Sequence, residues 1–428
     1  MREYQVPYSN KLAPISLPEN QVDFVGTLPE TKEMPNWKEE LSHRLDVPTS
    51  GPALSTMLRR GEHIVILVED NTRHTPVKEI LPILSQYLIS NGCSLEQIEI
   101  LVAPGTHRTL TNEELWEKLG RYAMTKLKVS QHDYRIENQL IQLDDVLIGD
   151  LRIPVLVNKV VGEANLLIGL GNIIPHPNAG YSGGAKILVP GCCGKETVSA
   201  MHTAAALMGY LPLGMEENAC RQSLEKVARV VGLDFIVNVV LNAENQVADI
   251  VTGDCILAHR AGAKTAKKIF GVPVKEPADI LISCSYPYDI DYWQCEKAVI
   301  SGYFAVKQGG IIILSAPCFE GLAHNHDDLL QWLELDSREI RARMLKILSG
   351  KDKGDLVAAG IAMGAVMVRE KADIFIYTKG VSSEQIQRMG YRGFSSLQSA
   401  VDTALLMKPK GRIGILPRGG DCLPYLDK

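Results

Sequence analysis

The stretch HIVILVEDNTRHTP, residues 63–76, indicates the fold class. Its first part, His63–Val68, is a run of apolar residues after the histidine, which is typical of a strand buried on both faces. Its second part, Glu69–Pro76, is a polar loop, and an amphipathic helix is predicted from about Val77 to Ser90. The same order of strand, loop and helix recurs in Ile98–Leu119. Alternating strands and helices predict an α/β fold with mainly parallel sheets flanked by helices, in which ligands bind beyond the carboxyl ends of the strands.

Composition and charge limit the class of protein. The chain has 428 residues, enough for two domains, and its 46% hydrophobic and 22% charged residues are the balance of a soluble globular protein. A formal net charge of −5 offers no basic surface for a phosphate backbone, so nucleic acid is not an expected partner. The N-terminus lacks the apolar core of a signal peptide, and no uncharged apolar run reaches the ~18 residues of a membrane helix. We therefore expect a cytoplasmic protein that binds no membrane.

Nine cysteines are scattered between Cys93 and Cys422 without the spacing of a zinc site. An odd number without a framework predicts reduced thiols that are mostly buried, as in a reducing compartment. The adjacent residues Cys192 and Cys193 have no role that the sequence assigns.

The chain divides into two predicted domains. Residues 1–60 contain many prolines and are predicted to be mostly irregular. A linker at Gly271–Pro277, which contains two prolines, separates the first series of strands and helices from a second one. We expect an N-terminal α/β domain over residues 1–272 and a C-terminal α/β domain over residues 273–410, with the active site in the cleft between them. Residues 411–428 form a strand or tail that could return to the N-terminal domain.

Polar side chains cluster where the predicted strands end. The clusters are Asp70, Thr72 and Arg73; His107; His176 and Lys186; and Tyr292, Trp293, Gln294 and Lys297. A single arginine or histidine at a strand end is more often structural, but the carboxyl edge of a parallel sheet is where such folds build ligand sites. Four clusters at that edge therefore predict a functional site.

The segment PHPNAGYSGGAK, residues 175–186, is the most informative of these clusters. Its glycines let the backbone approach a bulky ligand and adopt positive φ without strain. Together with His202, in a helix predicted over Thr197–Leu207, it offers a base (His176), an amine nucleophile (Lys186) and a metal ligand. On this segment alone, a surface loop with an incidental lysine is also an open interpretation.

Other stretches that look like motifs fail on inspection. GCCGKET at residues 191–197 resembles a phosphate-binding P-loop, but it lacks the first glycine, and Glu196 stands where the motif needs serine or threonine. Residues 169–171, Gly-Leu-Gly, lack the third glycine of a dinucleotide-binding fingerprint. The stretch His324–Asp327 contains metal-ligand residue types, including His326, although short His/Asp stretches in loops are usually solvated.

Three motifs and two single residues, taken together, resemble a known family. They are DNTRHTP at 70–76, GTHR at 105–108, the set of His176, Lys186 and His202, and the residues Gln294 and Lys297. In order and spacing they closely resemble the lactate racemase family of nickel-pincer-nucleotide enzymes, over roughly residues 60–300. The resemblance implies an isomerase of 2-hydroxy acids with two α/β domains, of which the N-terminal one binds the cofactor.

The resemblance also implies which residues hold the cofactor. This cofactor, the nickel-pincer nucleotide, is a pyridinium mononucleotide whose two sulfur-bearing substituents and ring carbon bind Ni(II). Lys186 would carry it through a thioamide bond, and His202 would complete the planar coordination of the metal, a geometry that suits Ni(II) better than zinc. The other cofactor-binding positions are Asp70, Thr72, Ser182, Gly183 and Gly184.

The substrate is implied to lie between two histidines. His107 and His176 would be the catalytic bases, one for each stereoisomer. Arg73 would bind the substrate carboxylate with its two parallel donors, and Lys297 would add a point charge. The remaining substrate-binding positions are Gln294, Asn178 and Trp293.

The implied chemistry explains these residue types. The α-hydrogen of a 2-hydroxy acid is very weakly acidic, so its transfer as hydride to the cofactor, which leaves a planar 2-oxo acid, avoids a carbanion. Hydride can then return to either face. A histidine on each side can take the hydroxyl proton in one direction and return it in the other, because its pKa lies near neutral pH. The protein positions the cofactor and shields the 2-oxo acid from water.

Pro177 and Asn178 differ from the family's lactate enzymes, which have bulky aromatic residues after the corresponding histidine. A roomier and more polar pocket is therefore expected. We expect a substrate larger or more polar than lactate, such as the sugar acid gluconate, which would be epimerised at C2, or a malate-like dicarboxylate. Asn178 would either bond a substrate hydroxyl or stabilise a turn after the proline.

Two other functions are considered. A non-catalytic protein that binds the cofactor or a 2-oxo acid is the main alternative, but it should lack one base or the carboxylate-binding residues, and this chain has both. A zinc hydrolase that uses His176 and His202 lacks a third ligand at a useful spacing. The expected partners are a small 2-hydroxy acid and, transiently, cofactor-biosynthesis proteins, and the sequence is compatible with an oligomer.

Overall fold

Two six-stranded sheets form the framework of the protein. The computed structural model describes residues 1–59 and 62–427; residues 60, 61 and 428, which fall in or beside the predicted terminal segments, lie outside the described residues. The strands of the described residues are β1 (Arg2–Tyr8), β2 (Lys11–Leu17), β3 (Val22–Val25), β4 (Ile64–Val68), β5 (Ile98–Val102), β6 (Lys128–Gln131), β7 (Leu140–Ile148), β8 (Leu151–Asn158), β9 (Leu166–Asn172), β10 (Pro175–His176), β11 (Gly180–Tyr181), β12 (Phe235–Leu241), β13 (Val247–Gly253), β14 (Gly271–Val274), β15 (Ala278–Cys284), β16 (Val306–Ser315), β17 (Asp373–Tyr377), β18 (Arg392–Gly393), β19 (Ile413–Leu416) and β20 (Leu423–Leu426). The α-helices of the same residues are α1 (Trp37–Asp46), α2 (Val77–Ser90), α3 (Asn112–Lys126), α4 (Lys159–Gly162), α5 (Lys195–Leu207), α6 (Ala219–Val231), α7 (Leu257–Phe270), α8 (Tyr292–Ala305), α9 (Leu329–Leu333), α10 (Ser337–Leu348), α11 (Leu356–Lys371), α12 (Ser383–Arg388) and α13 (Leu397–Met407).

The first sheet has the strand order β13-β12-β9-β4-β5-β6 and is parallel except for the pair β12–β13. Every residue of β4 is buried. Its successive side chains face opposite layers, because Val65 and Leu67 belong to one core cluster and Ile64, Ile66 and Val68 to another. The predicted strand buried on both faces is therefore confirmed.

The second sheet has the strand order β18-β17-β16-β15-β19-β3, and all its pairs are parallel. In β15, Ile280 and Ile282 face a core cluster on one side of the sheet. Leu281 faces the other side and lies in the same cluster as Leu67 of the first sheet. The α/β class with mainly parallel sheets is confirmed, and a shared core connects the two sheets. The division into domains at residue 272 stays a prediction.

The N-terminal segment is more regular than predicted. Strands β1 and β2 form an antiparallel hairpin, and its residues Ile15 and Leu17 pack in the core cluster that contains Ile282 of the second sheet. Strand β3 pairs with β19 at the edge of that sheet. The expectation of irregular structure is wrong here, because Pro7 and Pro14 fit the edges of a hairpin whose apolar partners lie far away in sequence.

The predicted linker at Gly271–Pro277 begins as a strand. Its residues in β14 pair in parallel with the C-terminal strand β20. The other C-terminal strand, β19, lies inside the second sheet between β15 and β3. Strand β19 therefore belongs to the second sheet, while β20 pairs with β14, whose Gly271 and Val272 lie within the predicted N-terminal domain. The return of residues 411–428 to that domain stays a prediction.

All nine cysteines are free and buried, as predicted. In residues 1–59 and 62–427, none of the helices combines the length and the hydropathy required to cross a lipid bilayer.

Candidate active site

Loops at the carboxyl ends of β4, β5 and β9 meet the first turns of α8 around one cavity. Its empty space is about 960 Å³ when the part open to solvent is included. The predicted site residues that line it are Asp70, Thr72, Arg73, His107, His176, Asn178, Ser182, Gly183, Lys186, His202, Trp293, Gln294 and Lys297. The fold thus brings together all the predicted site residues except Gly184.

His107 is held between a carboxylate and an amide. Its Nδ1 lies 2.6 Å from Oδ2 of Asp70, and its Nε2 lies 3.1 Å from Nε2 of Gln294. Lys297 donates to Oε1 of Gln294 at 2.6 Å, which fixes the orientation of the amide. The amide nitrogen can only donate, so Nε2 of His107 accepts and its Nδ1 donates to Asp70. A neutral His107 therefore has its basic lone pair on Nε2.

Thr72 connects Asp70 with Arg73. The Thr72 hydroxyl donates to Oδ1 of Asp70 at 2.5 Å and accepts from Nη1 of Arg73 at 3.0 Å. Burial alone would raise the pKa of Asp70, but His107 and Arg73 hold it well below its usual range. Asp70 is therefore a carboxylate that stabilises positive charge on both neighbours.

Two cations of the site face one aromatic ring. Nζ of Lys297 lies 3.6 Å from the ring centroid of Tyr288, and Cζ of Arg73 lies 5.9 Å from it. Burial, followed by the charges of Arg73 and Lys186, lowers the pKa of Lys297 well below its ordinary value. The face of the Tyr288 ring therefore stabilises the positive charges of Arg73 and Lys297, which repel each other.

His176 has no carboxylate partner among the described residues. Its Nδ1 accepts from the backbone N–H groups of Asn178 and Ala179 at 3.2 and 3.3 Å. The hydrogen of the neutral ring is therefore on Nε2. Burial lowers the pKa of His176 well below its usual value, and the charges of Lys186 and Arg73 add to this shift. The surroundings thus keep His176 neutral.

A buried arginine holds the glycine-rich turn that carries Lys186. Arg221 of α6 donates to the carbonyl oxygens of Ala179, Tyr181 and Gly183. Burial lowers the pKa of its guanidinium to about 10. Because these three carbonyl groups bond one planar guanidinium, the backbone conformation before Lys186 is fixed.

Lys186 and His202 have the properties of an amine nucleophile and a metal ligand. Burial, followed by the charge of Arg73, lowers the pKa of Lys186 to about 7, so much of the amine is uncharged near neutral pH. His202 of α5 packs against Gly360 of α11, where an added Cβ would lie 3.2 Å from Nδ1 of the histidine. That nitrogen is buried and has no hydrogen-bond partner in the described structure, and burial lowers the pKa of His202 to about 3. A neutral imidazole is the form that binds metals.

Ser182, Gly183 and Gly184, the predicted cofactor-binding residues just before Lys186, have different surroundings. The Ser182 hydroxyl donates to the carbonyl of Asn172 at 2.8 Å, so it already has a backbone partner. Gly183 lines the cavity with φ of 72°, in the region that favours glycine. Gly184 does not line it, since a Cβ there would lie 2.9 Å from the His259 ring. The predicted cofactor contact of Gly184 is therefore unsupported, and its small size serves packing against α7.

The two remaining predicted residues, Asn178 and Trp293, differ in whether their side chains are free to bind a ligand. Asn178 is buried and lines the cavity, and its side-chain amide makes no hydrogen bond within the described structure. Trp293 stacks on His326, with ring centroids 4.2 Å apart and planes 12° apart. Trp293 is therefore a fixed wall, whereas the Asn178 amide is available to a ligand.

Three residues of the site carry no sequence motif: Tyr288, Arg221 and Glu296. Glu296 is buried in α8 and lines the cavity, and burial raises its pKa to about 8. Its position between Gln294 and Lys297 was the only available signal. Tyr288 and Arg221 act on other site residues, and such contacts are not visible in a sequence.

The stretch His324–Asp327 is not a metal centre. Over the part of the chain that the structure describes, no group of three or more His, Cys, Asp and Glu side chains could hold a metal ion, which also leaves the zinc hydrolase without a ligand set. His324 pairs with Glu320 at 2.6 Å, and His326 pairs with Asp355 at 2.5 Å. His326 is buried rather than solvated, because it stacks on Trp293.

Comparison with known proteins identifies the family. The model of the lactate racemase N-terminal domain matches residues 8–209. A lactate racemase from Lactiplantibacillus plantarum is 32% identical over 322 residues, which are 73% of this chain and 74% of that protein. This chain belongs to the lactate racemase family. The resemblance seen in the sequence is confirmed, and the chain is an isomerase that racemises a 2-hydroxy acid.

Other members and folds match over nearly the whole length. A lactate racemase from Thermoanaerobacterium thermosaccharolyticum is 28% identical over 429 residues, 98% of each chain. The structure of the lactate racemase apoprotein from that organism matches with a TM-score of 0.85 and 25% identity, covering 99% of this chain and 100% of the other. A crystal structure of a Thermotoga maritima protein has a TM-score of 0.74 at 20% identity, covers 93% of this chain and 100% of the other, and shows likeness of fold alone.

Replacing Asp70 by asparagine tests the orientation of His107 in this racemase. Asp70→Asn should lower kcat by about 100-fold, because a well-placed general base contributes about 10²–10⁴-fold. The amide would donate to Nδ1 of His107 and so move the ring hydrogen to Nε2, which removes the basic lone pair. Chiral chromatography of the product measures the rate.

A double variant provides the control for Asp70. If Asp70 acts through His107, adding Asp70→Asn to His107→Ala should cost little further activity, since coupled residues are not additive. A second, independent loss of about 100-fold in the double variant would contradict this orientation role.

Two substitutions of Tyr288 test whether its ring stabilises Arg73 and Lys297. Tyr288→Leu should raise KM on the order of tenfold with a smaller change in kcat, because a desolvated cation–π contact stabilises by about 2 kcal/mol. Tyr288→Phe keeps the ring face and should remain close to wild type in steady-state kinetics. If the phenylalanine and leucine variants behave alike, the ring face does not position Arg73 and Lys297.

Proposed function

We propose that this racemase interconverts the C2 stereoisomers of a 2-hydroxy acid larger or more polar than lactate, and that the C2 hydrogen moves as hydride by way of a 2-oxo acid. One observation carries the proposal: two histidines, two further basic side chains and the amine of Lys186 line the same cavity. They offer acid–base groups, a binding site for a carboxylate and an attachment point for a cofactor around a single small molecule.

The residues present fit a nickel-pincer nucleotide bound to lysine. Lys186 is a half-buried amine whose pKa is lowered to about 7, so part of it is uncharged near neutral pH, as bond formation to a thioacyl group requires. His202 offers a buried ring nitrogen that has no other partner in the described structure. Because the described residues contain no metal site made of protein ligands alone, the other ligands of Ni(II) at His202 would come from the nucleotide. When bound, the nucleotide would supply the acceptor and donor of the C2 hydride.

Arg73 and Lys297 would hold the substrate carboxylate. The guanidinium can bind both carboxylate oxygens, and the ammonium adds a point charge. Their mutual repulsion, which contributes to the lowered pKa of Lys297, falls when an anion lies between them. Binding of the carboxylate therefore stabilises the charges of the free site and at the same time fixes the position of C2.

His107 would take the hydroxyl proton of one stereoisomer. Its Nε2 has the lone pair, and Asp70 stabilises the imidazolium that forms. In the free protein the Gln294 amide bonds that lone pair at 3.1 Å, and the same side chain accepts from Lys297. A substrate whose carboxylate binds Lys297 would weaken the hold of Lys297 on Gln294, and so the bond between Gln294 and His107. Binding of the substrate would therefore free the lone pair of His107.

His176 would do the acid–base work for the other stereoisomer. Its hydrogen lies on Nε2 while Nδ1 accepts from two backbone N–H groups. To act as a base at Nε2, the ring has to move that hydrogen and give up both contacts. The two directions of the reaction therefore start from different bases: His107 has its lone pair on Nε2, whereas His176 has its hydrogen there.

Residues 177 and 178 favour a polar substrate. Pro177 and Asn178 line the cavity where the family's lactate enzymes are implied to have bulky aromatic residues. The buried Asn178 amide has no partner in the described structure and is available to a substrate hydroxyl or carboxylate. Gluconate and malate-like acids are the substrates that this surface fits.

The non-catalytic alternative has less support. A protein that only binds the cofactor or a 2-oxo acid needs no pair of acid–base groups, yet His107 and His176 both line the cavity. Two histidines would, however, also suit removal of the C2 hydrogen as a proton, so the route of that hydrogen is the point to test.

Running the reaction in D2O separates the two routes. Cofactor-loaded protein incubated with one stereoisomer of gluconate or lactate should give the inverted product without deuterium at C2, because hydride does not exchange with solvent. Mass spectrometry of the product measures this. One deuterium at C2 of each inverted molecule would mean proton removal and would contradict the proposal. His107→Ala, run alongside, should lower the rate of inversion by about 100-fold or more.

A further inference from the structure

A second cavity adjoins the active-site cavity on the side of His107. The two share four lining residues: Thr72, His107, Trp293 and Gln294. Its empty space is about 440 Å³ when the part open to solvent is included. Because it begins beside the base and the amide that contacts it, it is a natural place for the part of a substrate that extends beyond C2. We call it the tail cavity.

The basic groups of the tail cavity already face carboxylates. Arg108 donates to both oxygens of Glu114, each at 2.8 Å. His324 pairs with Glu320 at 2.6 Å. His326 pairs with its own carboxylate partner, Asp355, as does His107 with Asp70. In the described lining, a second substrate carboxylate would therefore meet no uncommitted cation.

Carboxylates, by contrast, are part of the lining itself. Asp291 and Glu320 both line the tail cavity. Asp291 is buried, and its side chain accepts from the backbone N–H of Gln294 at 2.9 Å. An anionic tail would lie beside these groups and be repelled, whereas a neutral hydroxyl could donate to them.

His326 adds an acceptor that lacks a partner. The ring is 4% exposed, and its Nδ1 lies 2.5 Å from Oδ2 of Asp355. Nδ1 therefore donates, and Nε2 has the lone pair of the neutral ring. Nε2 is buried and makes no hydrogen bond in the described structure. A buried acceptor without a partner is unfavourable, and a ligand hydroxyl would satisfy it.

We propose that the tail cavity binds the hydroxylated chain of the substrate, so that the enzyme epimerises a polyhydroxylated 2-hydroxy acid in preference to a dicarboxylate. The proposal rests on the proposed function, since it assigns a substrate class to the same site. Hydroxyl groups both donate and accept, which matches a lining of carboxylates, one free ring nitrogen and the side-chain oxygen of Asn71, whose nitrogen donates to Glu114 at 2.9 Å.

Rates with three acids on one cofactor-loaded preparation test the substrate class. Gluconate, malate and lactate differ mainly in the group beyond C2. We expect kcat/KM for gluconate to exceed that for malate by about tenfold or more, because hydrogen bonds to the hydroxylated tail strengthen binding and the second carboxylate of malate is unpaired. Equal values for gluconate and malate, or a preference for malate, would overturn the inference.

A substitution that fills the tail cavity tests whether the preference for gluconate arises there. Ile290 lines this cavity and not the active-site cavity. Ile290→Trp should lower kcat/KM for gluconate by about tenfold while that for lactate, which has only a methyl tail, stays within about twofold. Ile290→Val is the matched control and should leave both values near wild type. An equal loss with both acids, or no loss with gluconate, would contradict the assignment.

A change of charge gives an independent test should the tryptophan variant not fold. Glu320→Gln removes the carboxylate that pairs with His324 and lies 3.6 Å from Arg108. The ratio of kcat/KM for malate over gluconate should rise by about threefold, since His324 then loses its carboxylate partner and can bind the second carboxylate of malate, while Arg108 stays paired with Glu114. An unchanged ratio would overturn the inference. Loaded protein that turns over none of the three acids would overturn the proposed function with it, whereas turnover without preference overturns the inference alone.

Discussion

Three basic side chains, Arg73, Lys186 and Lys297, line one cavity, and the chemistry of the site depends on how their charges are balanced. Burial and mutual repulsion lower the pKa values of both lysines, and the same charges keep His176 neutral. Buried charge without a partner is unfavourable, so such a cavity favours an anion. A carboxylate between Arg73 and Lys297, and an uncharged covalent linkage at Lys186, would relieve this repulsion.

One of the carboxylates near these charges, Asp70, has a second task. Asp70 receives a hydrogen bond from His107 and, through Thr72, is connected with Arg73. It thereby connects Arg73, the proposed carboxylate-binding group, with His107, one of the two proposed bases. His176 is fixed by backbone N–H groups instead. The two sides of the site are therefore chemically unlike, although a racemase acts on both stereoisomers of its substrate.

The sequence could predict what depends on local patterns. The apolar run of β4 and the polar residues directly after it follow from the rule that parallel strands deliver ligand-binding loops at their carboxyl ends, and this brought Asp70, Arg73 and His107 to one cavity. The family motif added Lys186 and His202. What could not be predicted depends on distant partners. Strands β1 to β3 and β14 are ordered by pairing with, or packing on, residues more than a hundred positions away.

The same limit applies to single side chains. Arg221 lies on an amphipathic helix, where an arginine is ordinarily solvated, and only the packed structure reveals its three carbonyl partners. The role of Tyr288 likewise depends on Lys297, which another element supplies. Gly184 shows the opposite case, because a glycine within a functional motif serves packing against His259.

The other proposals depend on Lys186, which we propose carries a nickel-binding cofactor. The intact mass and nickel content of the protein co-expressed with cofactor-synthesis enzymes, measured beside its Lys186→Ala variant, test this attachment. We expect an added mass and bound nickel on the wild type, with the added mass absent from the variant. A wild-type protein of unmodified mass, in a preparation where another lactate racemase becomes loaded, would contradict it.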